Sequence, residues 1–179
     1  MTDIYFDTDC LSSFLWVREQ NLLISHFGSI SIAEEVYSEL SHPSVSHLKT
    51  RTDKLLQLNA LTIETINYGT PEWNLYLEMT RGEGLKIGRG EAATIALAKC
   101  LNGTVASNNL KDVCFYIKKF SLINKTTADI LYDMFAKGVI TEAKGSVIWK
   151  DLMKKRKKSM PKGIQTFSDY LKLRQTPSS

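Results

Sequence analysis

The chain has 179 residues, 43% of them hydrophobic and 23% charged, with 10 Gly, 4 Pro and 3 Cys. That composition excludes collagen-like, low-complexity and disulfide-scaffold classes and suits one soluble globular domain. The net charge of +4 hides two opposed parts: residues 1–143 hold 13 Lys/Arg against 17 Asp/Glu, and residues 144–179 hold 10 against 2. An acidic body with a basic end implies carboxylates gathered in one place beside a surface suited to a polyanion. Residues 1–143 are therefore read as the main domain, and residues 144–179 as a basic helical extension packed on it or continuous with it.

The first β-prone run, Ile4-Tyr5-Phe6, stops at Asp7-Thr8-Asp9, whose oxygens can cap a helix carrying Leu11, Phe14 and Leu15. Ser29 to Ile32 reads as a second strand. Ser31-Ile32-Ala33-Glu34 has capping-box spacing and predicts a helix to Leu40 with Glu35 and Glu39 on one face, ended by His42-Pro43. Leu61 to Ile66 alternates at period two and predicts a third strand, followed by a helix over Pro71 to Met79. Beyond the glycines at 82, 84, 88 and 90, the alanine-rich run from Glu91 to Leu101 predicts a tightly packed helix closed by Asn102-Gly103. Thr104 to Ser107 is a strand delivering Asn108-Asn109, and Ser121 to Asn124 the last one. Helices then follow from Thr127 to Gly138 and from Thr141 through Met153. Alternating strands and helices predict an α/β fold with a mainly parallel central sheet flanked by helices, functional side chains collecting at the carboxyl ends of the strands.

Asp7 stands where the first strand ends, Glu39 and Glu91 lie on helices that open after strands or glycine turns, and Asp112 lies just after the Ser107-Asn108-Asn109 strand end. Several carboxylates brought into one cleft repel each other unless a hard cation such as Mg2+ or Mn2+ joins them. Cys10, Cys100 and Cys114 are odd in number and lack metal spacing, which points to reduced thiols. No signal-peptide pattern opens the chain and no apolar run is long enough to span a bilayer, so a cytoplasmic protein without a membrane segment is expected.

Four blocks taken together, Tyr5-Phe6-Asp7-Thr8-Asp9-Cys10-Leu11, the run from Ile32 to Leu40, the run from Gly88 to Ala98, and Val105-Ala106-Ser107-Asn108-Asn109, resemble in order those of a PIN domain. Thr126 to Ile140 and Phe167-Ser168-Asp169 are similar to the extra C-terminal helices of prokaryotic stand-alone PIN proteins, among them VapC-like toxins. The resemblance implies a single PIN-like domain that acts as a metal-dependent endoribonuclease, with Mg2+ or Mn2+ as cofactor. It further implies a toxin of a type II toxin–antitoxin pair or a related stand-alone nuclease. RNA, or single-stranded DNA, would be the substrate, and an antitoxin and a second copy of the chain the partners. Carried over by position, Asp7, Glu39, Glu91 and Asp112 are the catalytic acids, and Asp7, Glu91, Asn108 and Asp112 the metal ligands. The fourth position falls at or beside Asn108, where many members have an acid in place of Asn108 or Asn109 and others have an Asn followed by an acid such as Asp112; an amide oxygen can coordinate a hard cation but brings no charge, so the alternative is a catalytically weakened scaffold that binds nucleic acid or a partner.

Other readings compete. Asp7-Thr8-Asp9 also resembles the first motif of haloacid-dehalogenase-like phosphatases, but Asp129 then falls inside a helix turn and Glu39 and Glu91 have no role. Gly88-Arg89-Gly90-Glu91-Ala92-Ala93 fits a dinucleotide-binding pattern only by placing Glu91 against a pyrophosphate. His26, His42 and His47 have no useful partners in spacing, and Trp16, Trp73 and Trp149 read as core or interface anchors. Lys154, Lys155, Arg156, Lys157 and Lys158 form a run suited to a nucleic-acid backbone, with a solvated helix face as the plainer reading.

Overall fold

A computed structural model describes residues 3–175. Five short strands, β1 (Ile4–Phe6), β2 (Ile30–Ala33), β3 (Leu61–Glu64), β4 (Thr104–Ala106) and β5 (Asn124–Lys125), pair in parallel in the order β3-β2-β1-β4-β5. Ile4, Tyr5 and Phe6 are all buried, as a central strand covered on both faces requires. The chain runs outward from β1 through β2 to β3, then crosses back to β4 and β5. That reversal opens a crevice beyond the carboxyl ends of β1 and β4, where side chains of open α/β sheets meet ligands.

Helices cover both faces: α1 (Thr8–Val17), α2 (Gln20–Phe27), α3 (Glu34–Leu40), α4 (Ser46–Gln57), α5 (Pro71–Arg81), α6 (Arg89–Cys100), α7 (Leu110–Lys119), α8 (Thr127–Ala136), α9 (Glu142–Lys155) and α10 (Phe167–Gln175). Small residues let α6 lie close to the sheet, with Ala92, Ala93, Ala96 and Ala98 fully buried. At Gly90 the helix approaches Glu39 closely: a Cβ there would stand 2.9 Å from the Glu39 Oε1 atom, so that side chain would have to shift. At Thr126 a capping box with Asp129 opens α8.

Several local expectations shift. No capping box opens α3, because β2 runs through Ser31 to Ala33 in register with β1 and β3, and the N-cap, Ala33, has no side-chain bond. Residues 20–27, 46–57 and 110–119 are helices that the sequence pattern left unassigned. The last strand sits at Asn124–Lys125 rather than 121–124, since Ser121 (φ 55°) closes α7 by donating its N–H to the Lys118 carbonyl at 3.2 Å.

The basic extension shares the core. Trp149 of α9 is buried against Phe167 and Tyr170 of the last helix, and Phe167 packs so closely on Gly145 that a Cβ would come within 2.2 Å of its ring. Tyr170 donates to Asp129 Oδ1 at 2.8 Å and Arg174 joins the same oxygen at 3.2 Å, tying α10 to α8. Cys10 is buried, Cys100 and Cys114 half-buried, and all three are free thiols. No described helix is long and apolar enough to cross a membrane.

Candidate metal centre

Asp7 leaves β1 at the switch point and divides its carboxylate between two tasks. Oδ1 caps α1 by accepting the Cys10 N–H at 2.7 Å, so the helix N-terminus favours the charged form. Oδ2 is buried with no hydrogen-bond partner among the described residues. The side chain is 2% exposed and its pKa is pushed up from 3.8 to about 7. Burial is the main cause, partly offset by the nearby Ser107 hydroxyl, which is not placed to hydrogen-bond Oδ2, and by the Cys10 N–H, with the charges of Asp9 and Glu91 adding to the rise.

A cleft of about 380 Å3 opens over Asp7 and is lined also by Thr8, Asp9, Glu39, Glu91 and Arg156, with Trp16 and His42 on its walls. Each of the other acids arrives on a different element and is held by a neighbour. Glu39, on α3, accepts from the Thr8 hydroxyl through Oε2. Glu91, in the first turn of α6, accepts from the Asn109 amide through Oε1 at 3.2 Å. Asp9 is closed off by the extension: Arg156 pairs with its Oδ1, and the Ser159 hydroxyl lies 3.0 and 2.9 Å from its two oxygens.

The two asparagines after β4 turn to different neighbours. Asn108 is committed to α8: its Oδ1 accepts the Thr127 N–H at 2.8 Å and its Nδ2 donates to the Thr127 hydroxyl at 2.9 Å. Asn109 instead donates from one amide nitrogen to Glu91 and, at 2.7 Å, to Asp112 Oδ2. Asp7, Glu39 and Glu91 thus line one cleft; Asp112 reaches it only through Asn109, and neither Asn108 nor Asp112 is among its lining residues. Thr8, Asp9 and Ser107 are not predicted as site residues from the sequence, and Asn109 enters only as the neighbour that could take the place of Asn108. The only signals for them were short spacing from Asp7 and adjacency to Asn108.

The donor set suits a hard divalent cation. It is all oxygen, it is anionic, and it includes a buried carboxylate oxygen without a partner. Among the described residues no three His, Cys, Asp or Glu side chains already form a ready ion cage; Glu39 is held by Thr8 and Glu91 by Asn109. Of the basic run, Lys154, Lys155, Lys157 and Lys158 are exposed and Arg156 is spent on Asp9; together with Asp9 and Ser159 they line a second hollow of about 400 Å3 at the cleft's edge.

A family model described as a PIN domain matches residues 3–157, most of the chain. Neither a curated protein nor a solved structure matches the chain significantly.

Proposed function

The chain belongs to the PIN domain family, whose members are generally nucleases, and on that premise we propose that it is a divalent-metal-dependent endoribonuclease. The observation that carries this reading is the split carboxylate of Asp7, one oxygen capping α1 and the other buried and unpartnered in a cleft shared with Glu39 and Glu91. Asp7, Glu39 and Glu91 would hold the Mg2+ or Mn2+ ion, with Asp112 held beside Glu91 by Asn109. Such an ion supplies Lewis acidity to the phosphodiester and makes a water more acidic.

This chain's own residues do the rest. Burial and helix capping fix the Asp7 rotamer, the Thr8 hydroxyl orients Glu39, and the Asn109 amide orients Glu91 and Asp112 without adding charge. Arg156 pairs with Asp9 and partly offsets its charge at the cleft's edge. Lys154, Lys155, Lys157 and Lys158 stand where they can meet the phosphates of a bound strand. The roles of toxin in a type II pair, of cytoplasmic protein, and of partner to an antitoxin or a second copy rest on the family resemblance. A catalytically weakened scaffold is the second reading, favoured by the commitment of Asn108 to Thr127.

Purified protein incubated with structured RNA and with single-stranded DNA separates the two. With Mn2+ or Mg2+, cleavage of RNA is expected, lost in EDTA and lost in Asp7→Asn. Cleavage that survives both EDTA and the substitution would end the metal reading. Binding of RNA without cleavage under any metal would establish the scaffold.

A further inference from the structure

Trp16, on the wall of the acidic cleft, also lines a neighbouring open cavity of about 410 Å3. The rest of that cavity is cationic or aromatic: Arg18, His47, Arg51 and Lys155, with no carboxylate. His47 packs edge-on to the Trp16 indole at 4.4 Å between ring centres, and its Nε2 atom is buried without a hydrogen-bond partner. The three cations come from α1's C-cap, α4 and α9, elements brought together only by the fold.

None of the three cations has an acidic partner among the described residues. Arg51 donates to the Leu15 carbonyl and Lys155 to the Trp16 carbonyl at 3.4 Å, which caps the end of α1. Each of these bonds uses one N–H, so most donors of both groups stay free. Among the described residues Arg18 makes no side-chain hydrogen bond or ion pair, and its backbone is left-handed (φ 63°), a conformation glycine adopts at lower cost. Desolvation and then the charge of Arg18 hold Arg51 below its ordinary pKa, so the cluster repels itself and lacks an anion.

We propose that this cavity binds the nucleotide next to the scissile phosphate of a single-stranded RNA, its phosphate on Arg18, Arg51 and Lys155 and its base against Trp16. The assignment rests on the nuclease reading above and adds a substrate subsite to it. Guanidinium forks match phosphate oxygens two at a time, and an indole accepts any base by stacking. The shared Trp16 wall puts the subsite beside the acids, and Lys155 continues it into the basic run.

The test uses the full chain in EDTA, where cleavage is off, and a fluorescently labelled ten-nucleotide RNA followed by anisotropy. Arg18→Gly and Arg51→Gln should each weaken binding about tenfold. Each should also flatten the log–log salt dependence by about 0.7. Trp16→Leu should weaken RNA binding by roughly 5- to 100-fold while leaving inorganic polyphosphate, which has no bases, bound as before. Arg18→Gly places the preferred residue at a left-handed position, so its melting temperature should not fall, and a binding loss there is not a folding loss. If wild-type protein cleaves RNA with Mn2+ but all three variants bind it within twofold of wild type, the subsite is overturned and the nuclease reading stands. If wild-type protein neither binds nor cleaves RNA, both are overturned.

Discussion

Replacing Asp7 by asparagine should stabilise the metal-free protein above neutral pH while abolishing cleavage. The carboxyl titrates near 7 in the fold against 3.8 ordinarily, so between those values the folded state holds a proton that the unfolded chain has lost. Stability from this group is present below pH 4 and lost as pH rises through 7. Over the whole range the loss is about 4 kcal/mol, and between pH 5 and pH 8 about 3 kcal/mol. For a chain of this size, the second figure is roughly 6–12 °C in melting temperature. Melts of the wild-type protein and Asp7→Asn in EDTA at pH 5 and pH 8 read it directly. His26, held below its ordinary pKa mainly by burial, titrates alike in both proteins and cancels in the difference. At pH 8, Mn2+ at a hundred times its dissociation constant should return about 2.7 kcal/mol to the wild type and nothing to the variant. Parallel pH slopes for the two proteins, or equal stabilisation by Mn2+, would refute the assignment of Asp7 as both the buried titrating group and the ligand.

Asn109→Ala frees Glu91 and Asp112 from their shared donor, and metal affinity measured by calorimetry should fall about 10- to 100-fold with little change in melting temperature. Gly145→Ala drives a Cβ into the Phe167 ring and should cost about 1–3 kcal/mol in thermal melts, with faster proteolysis beyond Arg156 as the extension loosens. Neutralising Lys154, Lys155, Lys157 and Lys158 together should flatten the salt dependence of RNA binding by about 3 in log–log slope, whereas an unchanged slope would return them to a solvated face.

What the sequence displayed best were features whose cause is local. Asp7 after Tyr5-Phe6 announces both a strand end and a helix cap, and the structure shows one oxygen serving the cap while the other stays free. The alanine-rich run of α6 signals close packing through side-chain size alone. Helix α4 was hidden because only Leu48, Thr52 and Leu55 of its twelve residues are buried, too sparse a stripe to stand out after His42-Pro43. In α7 the exposed Leu110 and Phe115 interrupt the stripe made by Val113 and Tyr116. Asn108 and Asn109 are alike in sequence, and only the turn after β4 decides that the first meets Thr127 and the second meets Glu91. The partners of Asp9 lie about 150 positions away, beyond any local pattern.

That last separation sets an order of events during synthesis. Asp7, Asp9, Glu39 and Glu91 all leave the ribosome well before Arg156 and Ser159. At about 5–20 residues per second the delay between Asp9 and its counter-charge is about 7–30 s. Once Glu91 has emerged, the nascent chain carries all four acids and still lacks the guanidinium that pairs with one of them. The cleft therefore acquires its final charge only after residue 156 has emerged, and a ribosome stalled before it holds a sheet and its acids but not the finished site.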